Sequence, residues 1–145
     1  MSIFKKIENW SKIFGLPVAQ KEGFPENEKE LQLGLRLILE ELDELKDALR
    51  KRDLTEVKDA GGDLIWVVTR LMQTCGIDTD KVLEAIYESN MSKSCKTMEE
   101  ARESVKAYQK KGISTYIKEN EGFFFIHRSS DSKLLKSINF KEPKF

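Results

Sequence analysis

The chain has 145 residues, a length typical of one domain with a real core, and its 25 basic residues balance its 25 acidic residues. This lack of net charge argues against a dedicated nucleic-acid-binding protein, which is usually basic, and no apolar run reaches the roughly 18 residues of a membrane span. Cys75 and Cys95 form no Cys-x-x-Cys pair and the N-terminus does not read as a signal peptide, so we expect a reduced, cytoplasmic protein.

The N-terminal third predicts two helices joined by a loop. Apolar residues recur at helical spacing over residues 3–14, and Gly15 stands where a C-cap glycine belongs. Residues 16–27 predict a loop, which we interpret as a connector rather than a lid. Asn27 begins a second helix, predicted over 28–50. Its core face is predicted to comprise Leu31, Leu35, Ile38, Leu42, Leu45 and Leu49.

Three glutamates follow in the same helix. Glu40 and Glu44 are four residues apart and lie roughly opposite the apolar face, whereas Glu41 lies at its edge. A purely solvated face does not need an acid at that edge. The alternative remains open, because acidic helix faces are usually just solvated.

A third helix is predicted over 54–75, with Asp53 opening a capping-box pattern. Gly61 and Gly62 fall inside it, and each costs about 1 kcal/mol relative to alanine in a helix. We therefore expect them to permit close approach of the facing helix or to leave room for a ligand. In the alternative interpretation, the helix starts near Asp63 and the glycines belong to a loop.

The third helix carries Asp59 and Asp63, again four residues apart. Asp63 opens an apolar run over 64–68, so we expect it to be at least partly buried and to need a partner or a metal. Antiparallel pairing of the second and third helices would bring Glu41, Glu44 and Asp63 to one point. Converging carboxylates in a helical bundle form a site for a hard cation.

The remaining chain predicts two further helices and a small β unit. Asp78 caps a fourth helix over 79–90, and Thr97 opens a fifth that ends at Gly112. After residue 113, strand-like runs flank a turn with glycine at its end, and 134–138 is interpreted as a third strand. An isolated hairpin is marginal, so it should pack on the bundle or on another subunit.

These elements predict an all-α fold, an antiparallel helical bundle with a small C-terminal β-hairpin. We assign the bundle to residues 1–112 and the β-rich appendage to 113–145. The single histidine, His127, cannot supply the two Glu-x-x-His motifs of a ferritin-like di-iron site, which argues against a di-iron oxidase.

Several stretches in combination resemble the all-α NTP pyrophosphohydrolase superfamily, which groups the MazG-like enzymes, the dimeric dUTPases and the phosphoribosyl-ATP pyrophosphohydrolases. The resemblance spans about residues 3–96. It is carried by Phe14-Gly15-Leu16-Pro17, the run 39–45 with its Glu-Glu-x-x-Glu, the run 59–68, Gly76-Ile77-Asp78 and Ser89-Asn90-Met91-Ser92-Lys93. With it, the cation site is favoured over a solvated face.

The resemblance implies a helical bundle that works as a homodimer or homotetramer and splits a nucleoside triphosphate between its α and β phosphates, with Mg²⁺ or alternatively Mn²⁺. Glu41 and Glu44 match the superfamily's Glu-x-x-Glu metal ligands, and Asp63 matches its second-helix aspartate. Glu40 matches an acid that orients or deprotonates the attacking water. No nucleic acid or membrane is expected as a partner.

The resemblance also assigns substrate contacts. Asn90 and Lys93 match an element expected to contact the sugar and phosphates, and Lys96 is a further candidate for the outer phosphate charge. Trp10 and Trp66 can stack on a base, although a core role is the commoner one for such residues.

One position departs from the superfamily pattern. The commonest second motif, Glu-x-x-Asp, would place an acid where this chain has Ala60, and Asp59 stands one residue earlier, a rotation of about 100° on a helix. Either Asp59 substitutes as a metal ligand or the site has one acid fewer. The competing functional interpretation is a non-catalytic helical dimer that binds nucleotide or a protein partner.

Overall fold

A computed structural model describes residues 1–145 as five helices followed by one two-stranded antiparallel sheet, which confirms the predicted fold class. None of the helices combines the length and apolar character needed to cross a bilayer. The elements are α1 (Ile3–Ile13), α2 (Glu28–Lys51), α3 (Leu54–Thr74), α4 (Thr79–Met91), α5 (Met98–Gln109), β1 (Thr115–Asn120) and β2 (Phe123–Arg128).

Four helices begin at the capping residues that the sequence predicts. The side chains of Asn27, Asp53 and Asp78 each accept hydrogen bonds from backbone N–H groups of the first helical turn. At Thr97 the capping box is complete, because the Glu100 carboxylate accepts a hydrogen bond from the Thr97 backbone N–H. These contacts satisfy N–H groups that have no partner within the helix.

The chain divides into two compact units, Met1–Val82 and Leu83–Phe145. In the first unit, α2 and α3 form an antiparallel helical hairpin, and Arg52 joins them in the left-handed conformation with φ of 56°. The two helices pack tightly at Gly34, where a Cβ atom would lie 2.7 Å from Leu71 Cδ1. Helix α3 is continuous through Gly61 and Gly62, so the loop alternative is wrong.

Helix α1 packs along α3. The fully buried Ile7 lies on its inner face, and the Gln73 side chain donates to the Phe4 carbonyl at 2.8 Å. Trp10 and Trp66 meet edge to face with ring centroids 5.4 Å apart, which supports the packing role for both indoles.

The predicted core face of α2 is only partly covered. Leu31, Ile38, Leu42 and Leu45 are half-buried, but Leu35 and Leu49 remain 55% and 58% exposed, so their assignment to the core is wrong for this unit. Within the unit, α2 packs against α3 alone. One neighbouring helix shields only part of an apolar stripe, and its flanks stay in contact with solvent.

In the second unit, α5 packs on both strands of the hairpin. The buried centre comprises Cys95, Ala101 and Ile126. The two strands pair from Thr115 with Arg128 to Asn120 with Phe123, and the turn between them has positive φ at both Glu121 and Gly122. This matches the twist that a two-residue hairpin turn requires.

The predicted third strand over 134–138 is wrong. Only Leu134 forms a single bridge, to His127, and Leu135 donates to the Ile126 carbonyl at 2.8 Å. From Lys136 onward the backbone is bound by other partners, beginning with the Tyr108 hydroxyl. Helix α5 packs on the hairpin and lies in the same compact unit. The functional division into 1–112 and 113–145 stays a prediction.

Candidate active site

The acidic residues of the α2–α3 hairpin centre on Glu41. Glu41 is half-buried, and burial is the first cause that raises the pKa of its carboxyl. Four neighbouring carboxylates raise this pKa further; in decreasing order they are those of Glu44, Asp63, Asp59 and Glu40. The structure therefore brings the predicted acids of α2 and α3 into electrostatic reach of one another.

The burial of these acids differs from the sequence-based expectation. Glu41 lies at the edge of the apolar face, as predicted, but Asp63 is exposed, so its predicted partial burial is wrong. An apolar run on a helix presents side chains all round the axis. The helices that pack on α3, rather than the apolar residues adjacent in sequence, decide whether Asp63 is covered.

Glu40 is accessible to water, which suits the role predicted for it. Its side chain is 57% exposed and lies 3.9 Å from the Arg36 guanidinium. We did not single out Arg36 from the sequence. The signal was present, because an arginine four residues before a glutamate forms a pair on one helix face.

The two glycines of α3 leave open space. A Cβ atom at Gly61 or Gly62 would meet nothing within 4 Å. Close helix packing in this unit occurs instead at Gly34, so that explanation is wrong for the α3 glycines. Of the two expected reasons, room for a ligand beside Asp63 remains.

Ala60, where the superfamily pattern has an acid, is 5% exposed. A carboxylate at this position would enter the packed interior of the first unit. Asp59 is exposed, and its charge nonetheless acts on Glu41. Both alternatives for the missing acid therefore stay open, with Asp59 near enough to contribute charge.

The three predicted substrate contacts lie in the second unit. Lys93 Nζ donates to Asn90 Oδ1 at 2.6 Å, which joins two of them. Lys96 is exposed and lines an open cavity of about 970 Å³ together with Phe123 and Phe140. Asn90 and Lys93 are not part of that lining.

The chemistry of the acidic set suits a hard cation. Carboxylate oxygens are the ligands that Mg²⁺ takes from proteins, and a bound dication would relieve the repulsion focused on Glu41. No three histidine, cysteine or acidic side chains are arranged here as a ready set of metal ligands. The ligand set Glu41, Glu44, Asp59 and Asp63 thus stays a prediction.

Comparison with known proteins identifies the family. The model of the phosphoribosyl-ATP pyrophosphohydrolase family matches residues 9–90, a stretch that includes α2 and α3 in full. The chain is also 33% identical over 125 residues to "Uncharacterized protein L479" of Acanthamoeba polyphaga mimivirus, with 78% of this chain and 50% of that protein covered. It therefore spans about half the length of this relative.

The matched residues hold all five acids of the candidate site and the α2–α3 hairpin that presents them. The order of the helices, the acidic motifs and the family match all support the same assignment. The chain belongs to the phosphoribosyl-ATP pyrophosphohydrolase family, within the all-α NTP pyrophosphohydrolase superfamily of the MazG-like enzymes.

Proposed function

We propose that the protein is a Mg²⁺-dependent pyrophosphohydrolase of a nucleoside or deoxynucleoside triphosphate. It cleaves between the α and β phosphates and releases the monophosphate and pyrophosphate. The observation that carries this proposal is Glu41, half-buried among four further carboxylates in a chain of a pyrophosphohydrolase family. A carboxyl whose pKa is raised by burial and by neighbouring acids is typical of functional sites.

Four acids would hold the cation: Glu41 and Glu44 from α2, and Asp63 with Asp59 from α3. Mg²⁺, or Mn²⁺ in its place, offsets the negative charge of the triphosphate when it is bound. Without such an ion, the carboxylates would repel the substrate. The open space beside Gly61 and Gly62 leaves the hairpin accessible on this side.

Glu40 is the proposed general base. Its accessible carboxylate takes a proton from a water molecule that attacks the α-phosphorus. A new oxygen–phosphorus bond forms as the bond to the α–β bridging oxygen breaks, and pyrophosphate leaves with that electron pair. Asn90, Lys93 and Lys96 are proposed to contact the sugar and the phosphates, the lysines as point charges.

A homodimer or homotetramer is part of the proposal. The first unit leaves large apolar side chains exposed on α1, α2 and α3, including Ile13, Leu35 and Ile65. Large apolar side chains left exposed on several helices are a feature of interaction sites. A second copy of this chain is the proposed partner.

A second function has one observation in its favour. The buried Ala60 removes an acid that the superfamily pattern carries, which would fit a helical dimer that binds a nucleotide or a protein partner without hydrolysis. In that case nucleotide would bind and no pyrophosphate would appear.

Pyrophosphate release from a panel of nucleotides tests the proposal. The panel comprises the common NTPs and dNTPs together with phosphoribosyl-ATP, each assayed with Mg²⁺, with Mn²⁺ and with a chelator. We expect metal-dependent release of one pyrophosphate per monophosphate from at least one of them. Nucleotide binding without pyrophosphate from any member would contradict the proposal and support the non-catalytic alternative.

A further inference from the structure

The element Ser89–Lys93 separates into two pairs by its helical spacing. Ser89 and Ser92 are three residues apart and share one face, and Asn90 and Lys93 share the adjacent face. Backbone bonding remains helical as far as Ser92, whose N–H donates to the Glu88 carbonyl at 3.1 Å. The polar side chains of the second pair bind each other, whereas both serines contact the C-terminal segment 137–141.

Three hydrogen bonds of 2.9 Å join this segment to the two serines. Ser137 Oγ donates to the Ser92 carbonyl, the Lys141 backbone N–H donates to Ser92 Oγ, and Ser89 Oγ donates to the Lys141 carbonyl, each at 2.9 Å. Ser92 Oγ in turn donates to the Ser89 carbonyl at 2.6 Å. Ser89 and Ser137 are each only 7% exposed, so these bonds are largely shielded from water.

The segment is also fixed on its other side. The Ile138 N–H donates to Ser104 Oγ on α5 at 3.0 Å, and Ser104 is 1% exposed. Beyond Ser92, the backbone of Cys95 pairs in both directions with Phe124 of β2, at 2.8 and 2.9 Å. The end of α4 is thus held at its serines by the segment and, three residues after Ser92, by the hairpin at Cys95.

We propose that the segment 137–141 positions Asn90 and Lys93 for the substrate, with Ser137 as a positioning residue. This inference rests on the proposed function. The last turn of a helix has carbonyl groups without helical partners and frays readily. Tying the serine face of the turn to α5 fixes the direction of the pair on the adjacent face, and phosphate and sugar contacts depend on such fixed geometry. The family match ends at Asn90, so this support lies outside the matched residues.

Steady-state kinetics of Ser137→Ala test the inference. The variant removes the bond to the Ser92 carbonyl and the bond that Ser137 Oγ accepts from the Asn139 N–H. We expect its KM for the hydrolysed nucleotide to rise roughly 3- to 10-fold, the effect of losing the neutral hydrogen bond to Ser92, with kcat and the Mg²⁺ midpoint nearly unchanged. Ser137→Thr keeps the hydroxyl and should restore a KM near that of the wild type. Ser130→Ala, at an exposed turn position whose hydroxyl makes no hydrogen bond within the protein, is the matched control.

A double-mutant cycle separates positioning from general destabilisation. If Ser137 acts through Lys93, Ser137→Ala loses most of its effect on KM in a Lys93→Ala background, because coupled residues are not additive. If the two substitutions raised KM by independent factors that multiply in the double variant, the positioning role would be overturned. Lys141→Pro, which removes the N–H bound to Ser92 Oγ, supplies a second variant for the same cycle should Ser137→Ala not fold.

Hydrogen exchange gives a readout independent of turnover. Backbone amides of residues 89–95 should exchange faster in Ser137→Ala than in the wild type or in Ser130→Ala. Unchanged exchange, or an unchanged KM in an active enzyme, would overturn the positioning role and leave the proposed function intact. A wild-type protein that hydrolyses none of the panel would overturn the proposed function and the positioning role with it.

Discussion

Glu41 is the residue at which folding and function make opposite demands. Burial and four neighbouring acids both favour its neutral form, and its pKa is raised accordingly. A chain selected only for stability would place an apolar or neutral residue at the edge of the α2 stripe. Retaining a carboxylate there is understandable if a cation occupies the site during catalysis.

Glu41→Gln should therefore abolish hydrolysis and stabilise the metal-free protein. The amide keeps the shape of the side chain but removes a charge that the folded state disfavours. At pH 7 in chelator, we expect a higher melting temperature for this variant than for the wild type. Asp43→Asn, which removes an exposed acid of the same helix that pairs with Lys46, is the control and should show neither effect.

The difference in stability between Glu41→Gln and the wild type should depend on pH in a defined direction. A carboxyl whose pKa is higher in the folded than in the unfolded protein contributes stability that is lost as the pH rises through the folded pKa. The advantage of Glu41→Gln should therefore be full near pH 7 and disappear below the ordinary value of 4.5. A gap in melting temperature that widened towards low pH would contradict the pKa direction.

Asp59 and Asp63 can be compared directly, since they are exposed, four residues apart and both act on Glu41. If Asp59 replaces the acid absent at Ala60, Asp59→Ala and Asp63→Ala should reduce activity and raise the Mg²⁺ midpoint by comparable factors. If Asp59 is a solvated acid, its loss changes stability by no more than about 0.5 kcal/mol. An unchanged Mg²⁺ midpoint for Asp59→Ala would leave Glu41, Glu44 and Asp63 as the ligands.

At the scale of the elements, glycine serves different purposes in the two helices of the hairpin. Gly34 of α2 lets α3 approach, and Leu71 fills the space that a side chain would need. Gly61 and Gly62 of α3 face open space in the first unit. Two glycines inside a helix cost conformational entropy relative to alanine. Their presence in α3 therefore needs a reason other than close helix packing.

Gly62→Ala should stabilise the metal-free protein by about 1 kcal/mol, because alanine is the better helix former and its methyl group meets no atom. The same variant should lower activity if the space beside Asp63 admits substrate. Gly34→Ala is the matched comparison, and it should gain less stability or lose some since its Cβ would lie 2.7 Å from Leu71 Cδ1. Equal stabilisation by both variants, measured by denaturant unfolding, would contradict this assignment.

At the scale of the whole molecule, exposed apolar surface on the first unit predicts self-association. Leu39, Leu49 and Ile65 are each more than half exposed, although they lie on long, regular helices. Sedimentation at micromolar concentration should give a multiple of the 16.8 kDa chain mass. Leu39→Glu should shift the distribution towards the monomer, whereas Gln32→Glu, the same new side chain at an exposed polar position, should not. A stable 16.8 kDa species for the wild type would contradict the prediction.

Local features of this protein followed from its sequence. The capping side chains at Asn27, Asp53, Asp78 and Thr97 each act on backbone groups within a few residues. The helices between them were predicted to within a few residues of their observed ends, because helical periodicity and caps are short-range properties. The paired acids of α2 and α3 followed for the same reason, since spacing along a helix sets which side chains are neighbours.

Burial and long-range contacts were decided only by the tertiary structure. Asp63 was predicted to be at least partly buried and is exposed, whereas Glu41 bears the raised pKa, because the position of neighbouring helices determines which acid loses water. The bond between Ser137 and Ser92 joins residues 45 positions apart. No sequence pattern around either serine indicates which residue it binds. Periodicity assigns a residue to a face of its helix, but what covers that face depends on packing between segments distant in the chain.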